Sequence, residues 1–194
     1  MRTDVLHLTT ASLRAAALAL VVTGLGGCSA VMSSATGGLS QSLAAGLREQ
    51  ADPEVVRQGA PAYLIMVDGL ILDQPDDPAL LSAGAALYST YAGTFVDDPE
   101  RQTTLTETGR DYGLRALCAV ERSTCGAAAM PYDRFEAALA GVRATHVGEL
   151  YGAAAAWATW IQARRSDWSA IADKARVEAM MLRVVEIEPN HGDG

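Results

Sequence analysis

Apolar residues recur along most of the chain at the three- and four-residue spacing of an amphipathic helix. In "YDRFEAALAGV", Phe135, Leu139 and Val142 fall on one helical face, and "KARVEAMMLRVVEIEP" repeats the pattern between Val177 and Val185. No stretch sustains the alternation of apolar and polar residues that a half-buried strand requires. Alanine, leucine, arginine and glutamate, which favour helices, are frequent. The pattern therefore predicts helices almost throughout.

Three helix starts carry the same signal, an aspartate directly followed by a proline. The pairs are Asp52-Pro53, Asp77-Pro78 and Asp98-Pro99. The aspartate can cap the first free N–H groups, and proline fits the first turn because its missing N–H has no partner there. With the periodic segments, these starts predict helices over 39–50, 53–72, 79–94, 98–121, 132–142, 147–164 and 168–188.

Two predicted helix pairs resemble each other in composition. "LLSAGAALYSTYAG" and "LYGAAAAWATWIQ" each place small residues before aromatic ones, and Gly84 and Gly152 are 68 positions apart. Tetratricopeptide repeats have a period of about 34 residues, half that spacing. The ending "VVEIEPN" is also typical of such a repeat. We therefore predict an all-α fold of tetratricopeptide-like antiparallel helical hairpins, arranged as an irregular α-solenoid.

The N-terminal segment has the order of a bacterial export signal. Arg2 and Arg14 flank its start, an apolar run follows over 15–22, and "LGGC" ends at Cys28 like a lipobox, in which the cysteine is acylated. An ordinary secretory signal with a chance cysteine is the alternative. We predict a lipoprotein signal peptide over 1–27, a lipidated N-terminus and flexible tether over 28–38, and a helical repeat domain over 39–190.

An acylated Cys28 would place the domain in the cell envelope. Each buried methylene of the anchor contributes about 0.8 kcal/mol, so several chains hold a protein firmly on a membrane. Ser29 stands where Gram-negative sorting often places aspartate for inner-membrane retention. The expected location is therefore the periplasmic side of the outer membrane, with the inner membrane as the alternative.

The charge of the chain argues against nucleic-acid binding. Its formal net charge is −8 at pH 7, and Lys174 is the only lysine. Phosphate backbones are bound by clustered cations, and the chain offers only the pair Arg164-Arg165.

Cys118 and Cys125 are expected to form a disulfide in an oxidising envelope. Seven positions of continuous helix would separate their Cα atoms by about 10 Å, beyond the roughly 7 Å reach of a bridge. A bridge therefore requires the helix to end between them, and "RSTCGAAAMP" contains suitable helix breakers. Two independent thiols are the alternative, and a metal pair is less favoured because no other cysteine or histidine lies nearby.

Enzymatic chemistry has little support in the sequence. The three histidines are His7, His146 and His191, and none has partners at the spacing of a metal site or a catalytic triad. "HGDG" at the end lacks the strand and helix of a phosphate loop. We therefore expect no catalytic residues, no metal and no cofactor.

Five residues are candidates for a ligand cavity or a partner surface. Asp68 interrupts the apolar run "YLIMVDGLIL", and a buried aspartate needs a partner, for which we expect Arg110 or Arg115. The other four candidates are aromatic pairs spaced three residues apart, which share a helical face. These pairs are Tyr88 with Tyr91 and Trp157 with Trp160. Core packing between helices is the alternative role for the aromatic residues, as an ion pair or an exposed position is for Asp68.

Several long stretches together resemble one family. They are "DPEVVRQGAPAYLIMVDGLI", "LYSTYAGTFVDDPERQTTLTETGRDYGLRALC", "FEAALAGV" and "LYGAAAAWATWIQARRSDWSAIADKARVEAMMLRVVEIEP". The chain is similar to the T component (TatT) of tripartite ATP-independent periplasmic (TRAP) transporters from about Asp52 to Pro189.

The resemblance implies a non-enzymatic, periplasm-facing lipoprotein of tetratricopeptide-like helices that forms a homotrimer. It also implies docking of the transporter's periplasmic solute-binding subunit, and a cavity or pore for an apolar or small organic ligand. Relatives continue through further helices past the segment that matches "EIEPNHGDG", so the domain is expected to be short at its C-terminal end.

Two functional hypotheses follow. The first is an accessory component of a TRAP-type transporter that scaffolds or docks the solute-binding subunit. The alternative is a tetratricopeptide-like lipoprotein that scaffolds envelope or outer-membrane assembly.

Overall fold

The computed structural model describes residues 49–192, which form helices joined by short turns. The α-helices are α1 (Pro53–Asp73), α2 (Pro78–Phe95), α3 (Pro99–Val120), α4 (Tyr132–Leu139), α5 (Val147–Ala163), α6 (Trp168–Ala172) and α7 (Lys174–Ile187). Short 3-10 turns lie at Arg122–Thr124, Ala127–Ala129 and Ala144–His146. The all-α prediction is confirmed, whereas the tetratricopeptide and solenoid arrangement stays a prediction. The predicted signal peptide over 1–27, Cys28, the predicted tether and almost all of the predicted helix over 39–50 lie outside the described residues.

The three aspartate-proline starts begin helices as predicted. The Asp52 carboxylate accepts the Glu54 N–H at 2.9 Å, and that of Asp98 accepts the Arg101 N–H at 2.7 Å. The Asp77 carboxylate accepts two N–H groups, at 2.8 and 3.0 Å. Each cap satisfies donors that the first turn leaves free.

One predicted helix is broken in the structure. The prediction over 168–188 is wrong at Asp173, where α6 ends and α7 begins. The Asp173 N–H bonds back to carbonyls of Ala170 and Ile171, which tightens the turn. The Asp173 carboxylate accepts a hydrogen bond from the Trp157 indole at 3.3 Å and lies 3.4 Å from the Arg176 guanidinium. The contact with Trp157, 16 positions away, helps to hold the break, and helical periodicity alone does not reveal it.

Consecutive long helices pack antiparallel in the order α1, α2, α3, α5 and α7. Position 84 of α2 meets position 112 of α3, while the Ala92 carbonyl near the end of α2 accepts a hydrogen bond from Gln102 near the start of α3. Position 113 of α3 likewise meets Ala153 of α5. Two buried clusters result, one between α1 and α2 and one around α5, α7 and Phe135. The short helix α4 packs on α7.

The first helix, α1, has an unusual composition for this domain. Among the described residues it is the one helix long and apolar enough to cross a membrane by length and composition, with 22% of that stretch buried. Ala60, Leu64, Val67 and Ile71 of α1 face the domain core. This packing against α2 accounts for the apolar residues on that face, while Ile65 and Leu72 of the same helix are 74% and 83% exposed.

Gly84 and Gly152, which suggested an internal repeat, occupy different environments. A Cβ at Gly84 would lie 2.8 Å from the Tyr112 ring, whereas one at Gly152 would have no neighbour within 4 Å. The close approach that a repeat requires is therefore found at Gly84 and not at Gly152.

Gly113 lies where α3 approaches α5 most closely, so Gly113→Ala is expected to lower the free energy of unfolding by about 1–3 kcal/mol. The added Cβ would lie 2.9 Å from the Ala153 Cα, a backbone atom that cannot rotate away. Urea denaturation followed by circular dichroism measures the change. Gly152→Ala on α5 is the control, and it is expected to stabilise the helix by about 0.5–1 kcal/mol. Equal effects of the two substitutions would contradict this account of the interface.

Candidate functional site

Asp68 of α1 is held by two tyrosines from two other helices. The Tyr88 hydroxyl donates to its Oδ2 at 2.6 Å, and the Tyr112 hydroxyl donates to its Oδ1 at 2.8 Å. The two rings meet edge to face with centroids 5.8 Å apart. Asp68 thus connects α1 with α2 and α3 through hydrogen bonds that involve both carboxylate oxygens.

The expected arginine partner of Asp68 is wrong. Arg115 donates to the Pro75 carbonyl at 2.6 Å, and Arg110 lies 3.3 Å from the Asp111 carboxylate. Tyr112, and not an arginine, is the α3 partner of Asp68, because Gly84 leaves room for the Tyr112 ring against α2. A tyrosine on α3 opposite a glycine of α2 is the sequence feature that indicates this partner of Asp68.

Burial raises the pKa of both tyrosines, and the hydrogen bonds to Asp68 raise it further. The pKa of Tyr112 rises to about 12, and that of Tyr88 is raised as well. The neutral phenols therefore persist in the folded chain at pH values where free tyrosine ionises, near pH 10.

The Asp68 cluster is expected to make the fold sensitive to alkali. Since the folded pKa of Tyr112 exceeds its unfolded value, its contribution to stability is complete below about pH 10 and is lost as pH rises towards about 12. Urea midpoints measured between about pH 8 and about pH 11.5 should fall more steeply with pH in the parent chain than in Tyr112→Phe. Parallel curves for the two proteins would exclude this linkage.

Tyr91 shares a helix with Tyr88 but has other partners. It is buried, its hydroxyl oxygen accepts a hydrogen bond from Arg101 at 3.3 Å, and that guanidinium also lies 5.5 Å from its ring centroid. Phe95 packs beside it with ring centroids 6.1 Å apart. Tyr91 therefore joins the end of α2 to the start of α3.

Trp157 and Trp160 differ in how their ring nitrogens are satisfied. Trp157 is fully buried, packs edge to face on Phe135 at 6.2 Å, and donates its indole N–H to Asp173. Trp160 is 5% exposed, and its Nε1 has no hydrogen-bond partner among the described residues. Trp157 is thus a core residue with a satisfied donor, whereas Trp160 retains a buried free donor.

Two arginines cover the Trp160 ring. The Arg110 guanidinium carbon lies 4.1 Å from the ring centroid, and that of Arg164 lies 4.8 Å from it. Such cation-π contacts stabilise a buried aromatic ring by about 0.5–2 kcal/mol each. The Nε of Arg110 is also buried without a hydrogen-bond partner in the described part of the chain. Two free donors, one from α3 and one from α5, therefore lie close together.

A groove of about 440 Å³ lies beside Arg164. We call it the α3–α5 groove, and it is lined by Pro99, Glu100, Thr103, Ala163, Arg164, Ser166 and Asp167. Arg164 pairs with Asp167 across 2.5 Å. Hydrogen bonds from Ser169 and then Arg164 lower the pKa of Asp167 to about 2, so this carboxylate stays charged.

A second groove, of about 470 Å³, lies between α4 and α7. We call it the α4–α7 groove, and its walls include Tyr132, Glu136, Leu139, Glu178, Leu182 and Glu186. None of the five candidate residues, which are Asp68, Tyr88, Tyr91, Trp157 and Trp160, lines either groove. The sequence predicted the amphipathic faces of α4 and α7 but not the open groove between these two helices.

The Cys118 and Cys125 sulfurs are joined by a disulfide, with the two Cα atoms 4.6 Å apart. The helix α3 ends at Val120, between the two cysteines. The third cysteine, Cys28, which is the predicted site of lipid attachment, lies outside the described residues.

The histidines in the described range make local contacts. His146 lies 2.8 Å from an Arg143 nitrogen and 3.9 Å from the Glu149 carboxylate. His191 lies 2.7 Å from the Glu188 carboxylate and packs on the Tyr151 ring. Within residues 49–192, no three histidine, cysteine or acidic side chains are grouped as metal ligands.

The comparisons with known proteins give one family. The sequence profile of the TRAP transporter T-component family matches residues 49–194, which is three quarters of the chain. No curated protein matched the chain. The profile match covers the whole of the described helical domain. The chain therefore belongs to the TRAP transporter T-component family, whose members are accessory components of TRAP transporters.

Proposed function

We propose that the protein is a non-enzymatic scaffold that docks the periplasmic solute-binding subunit of a TRAP transporter at the membrane. The observation that carries the proposal is the family match across the helical domain. The accessible grooves and exposed side chains such as Trp168, which is 83% exposed, support a docking role, because tryptophan and arginine are enriched at protein interfaces.

Co-purification tests the docking step. The full chain, tagged at its C-terminus and solubilised in detergent, should recover a periplasmic solute-binding protein after crosslinking in intact cells. A tagged outer-membrane lipoprotein of another family serves as the control for non-specific recovery. Recovery of an outer-membrane barrel or secretin in its place would favour the assembly-scaffold alternative, and repeated absence of a solute-binding protein would refute docking.

We also propose that Cys28 is acylated and holds the domain on the periplasmic face of the outer membrane. The lipobox and Ser29 support this placement. Cys28→Ser should move the protein from the membrane fraction to the soluble periplasmic fraction, while Cys118→Ser should leave the fractionation unchanged. Membrane retention of Cys28→Ser would exclude the anchor, and sucrose-gradient separation distinguishes the outer from the inner membrane.

We also propose that a small organic ligand binds beside Trp160. The buried free N–H of Trp160 lies beside the buried free Nε of Arg110, and either donor would be satisfied by an acceptor atom of a small organic molecule bound there. Benzoate, which joins an apolar ring to an acceptor, is a suitable probe. It should change the tryptophan fluorescence saturably, and Trp160→Phe should abolish the change while Trp168→Phe preserves it. An unchanged response in Trp160→Phe would place the ligand elsewhere.

A further inference from the structure

The α4–α7 groove has an apolar floor that residues 49–192 leave open to solvent. Leu139 and Ala179 form part of its base, and Leu182 on its wall is 59% exposed. Tyr132, at the other wall, is 43% exposed. Large apolar side chains that line a groove and remain this exposed are typical of a surface that another element covers.

The rim of the same groove is acidic. The Glu136 and Glu178 side chains are exposed, and neither carboxylate has an ion pair or a hydrogen bond within residues 49–192. Glu186 pairs with Arg183 at 3.1 Å, so these two charges offset each other. Lys174 starts the same helix but forms no ion pair with Glu178. The groove therefore presents two uncompensated negative charges above an apolar floor.

The shape of the groove favours a macromolecule over a small ligand. A pocket for a small molecule buries about 70–90% of the ligand surface. The exposed walls at Leu182 and Tyr132 show that the α4–α7 groove is too shallow for such enclosure.

A second copy of the chain is a poor occupant on charge grounds. The whole chain carries a net charge of −8, and two copies of this face would oppose their glutamates. Among the helices α1–α7, only α7 has a net positive charge, and two of its cations are already engaged. Arg176 donates to the Ala127 and Met130 carbonyls, and Arg183 donates to the Ala140 and Val142 carbonyls.

We propose that the α4–α7 groove binds a cationic amphipathic helix of a partner protein. The walls are helices whose backbone groups are hydrogen-bonded internally, so an occupant must satisfy its own backbone, as a helix does. Its apolar face contacts Leu139, Ala179 and Leu182, and its lysines or arginines lie opposite Glu136 and Glu178. The inference rests on the proposed function for the identity of the partner, because the helix then belongs to the docked solute-binding subunit.

Fluorescence anisotropy with a defined peptide tests the groove without the transporter. The probe is a fluorescein-labelled helix of leucine and lysine, about 14 residues long, which matches the roughly 21 Å length of α7. The protein is the full chain carrying Cys28→Ser, purified without detergent. Binding should be saturable, and a peptide of the same composition with its leucines scrambled around the helix should bind at least about tenfold more weakly.

Two matched charge variants locate the binding. Glu136→Gln with Glu178→Gln should weaken the peptide about tenfold, since each exposed ion pair contributes modestly and two are lost. Asp76→Asn with Asp97→Asn removes the same charge from exposed positions on other turns and should change binding less than about twofold. Leu182→Ser should also weaken binding, with circular dichroism confirming that each variant is folded.

Three results would overturn the proposal: no saturable binding, equal binding of the scrambled peptide, or equal weakening by the two charge variants. A dimer in sedimentation that Leu182→Ser dissociates would assign the groove to a second copy and also overturn it. Failure of the peptide assay leaves co-purification of the solute-binding subunit unaffected, so the two proposals fail separately.

Discussion

Trp157→Ala is expected to lower the free energy of unfolding by about 3–5 kcal/mol, the largest effect of any substitution considered. Trp157 is fully buried at the centre of the cluster formed by α5, α7 and Phe135. Its removal leaves a cavity beside Phe135 and deprives the Asp173 carboxylate of the indole donor. The lost indole donor acts directly on the break between α6 and α7, so the C-terminal part of the domain should loosen first.

Trp168→Ala is the matched control for this prediction. Trp168 lies on α6 and is 83% exposed, so its removal should change stability by less than about 0.5 kcal/mol. Urea denaturation followed by circular dichroism at the helical band measures both variants on one scale, since fluorescence would change with the tryptophan content. A comparable loss for Trp168→Ala would mean that the C-terminal helices pack differently from the arrangement described.

The helices were predictable because their signals are local. An aspartate cap and a proline at the first turn need only two adjacent residues, and all three such starts were found where the sequence predicts them. Amphipathic spacing likewise identifies α4 and α7. The end of α4 at Leu139 was missed by three residues, because Gly141 and Val142 continue as tighter turns that bond three residues back.

The contacts of the candidate site were less predictable because they join distant segments. Asp68 and Tyr112 are 44 positions apart, and charge alone favoured an arginine partner. The phenol is preferred because Gly84 removes the side chain that would otherwise separate the Tyr112 ring from α2. Which of Trp157 and Trp160 has a satisfied nitrogen depends likewise on Asp173, at a helix break that the periodicity does not signal.

Replacing both Cys118 and Cys125 by alanine is expected to lower the free energy of unfolding by about 2–3 kcal/mol. A bridge across so short a segment restricts mainly the unfolded chain, so the folded structure should change little. The turn between the cysteines has its own hydrogen bonds, since the Glu121 carbonyl accepts from the Thr124 hydroxyl at 2.7 Å and the Glu121 carboxylate accepts from the Ser123 hydroxyl at 2.7 Å. The native circular dichroism spectrum should therefore match that of the parent chain while the urea midpoint falls.

A reducing agent separates the bridge from the cysteine side chains themselves. Reduction should lower the urea midpoint of the parent chain towards that of the double alanine variant and leave the variant unchanged. A parent chain that is insensitive to reductant while unfolded would contradict the bridge. The end of α3 at Val120 makes the bridge geometrically accessible, because it brings the two Cα atoms to 4.6 Å instead of the roughly 10 Å of continuous helix.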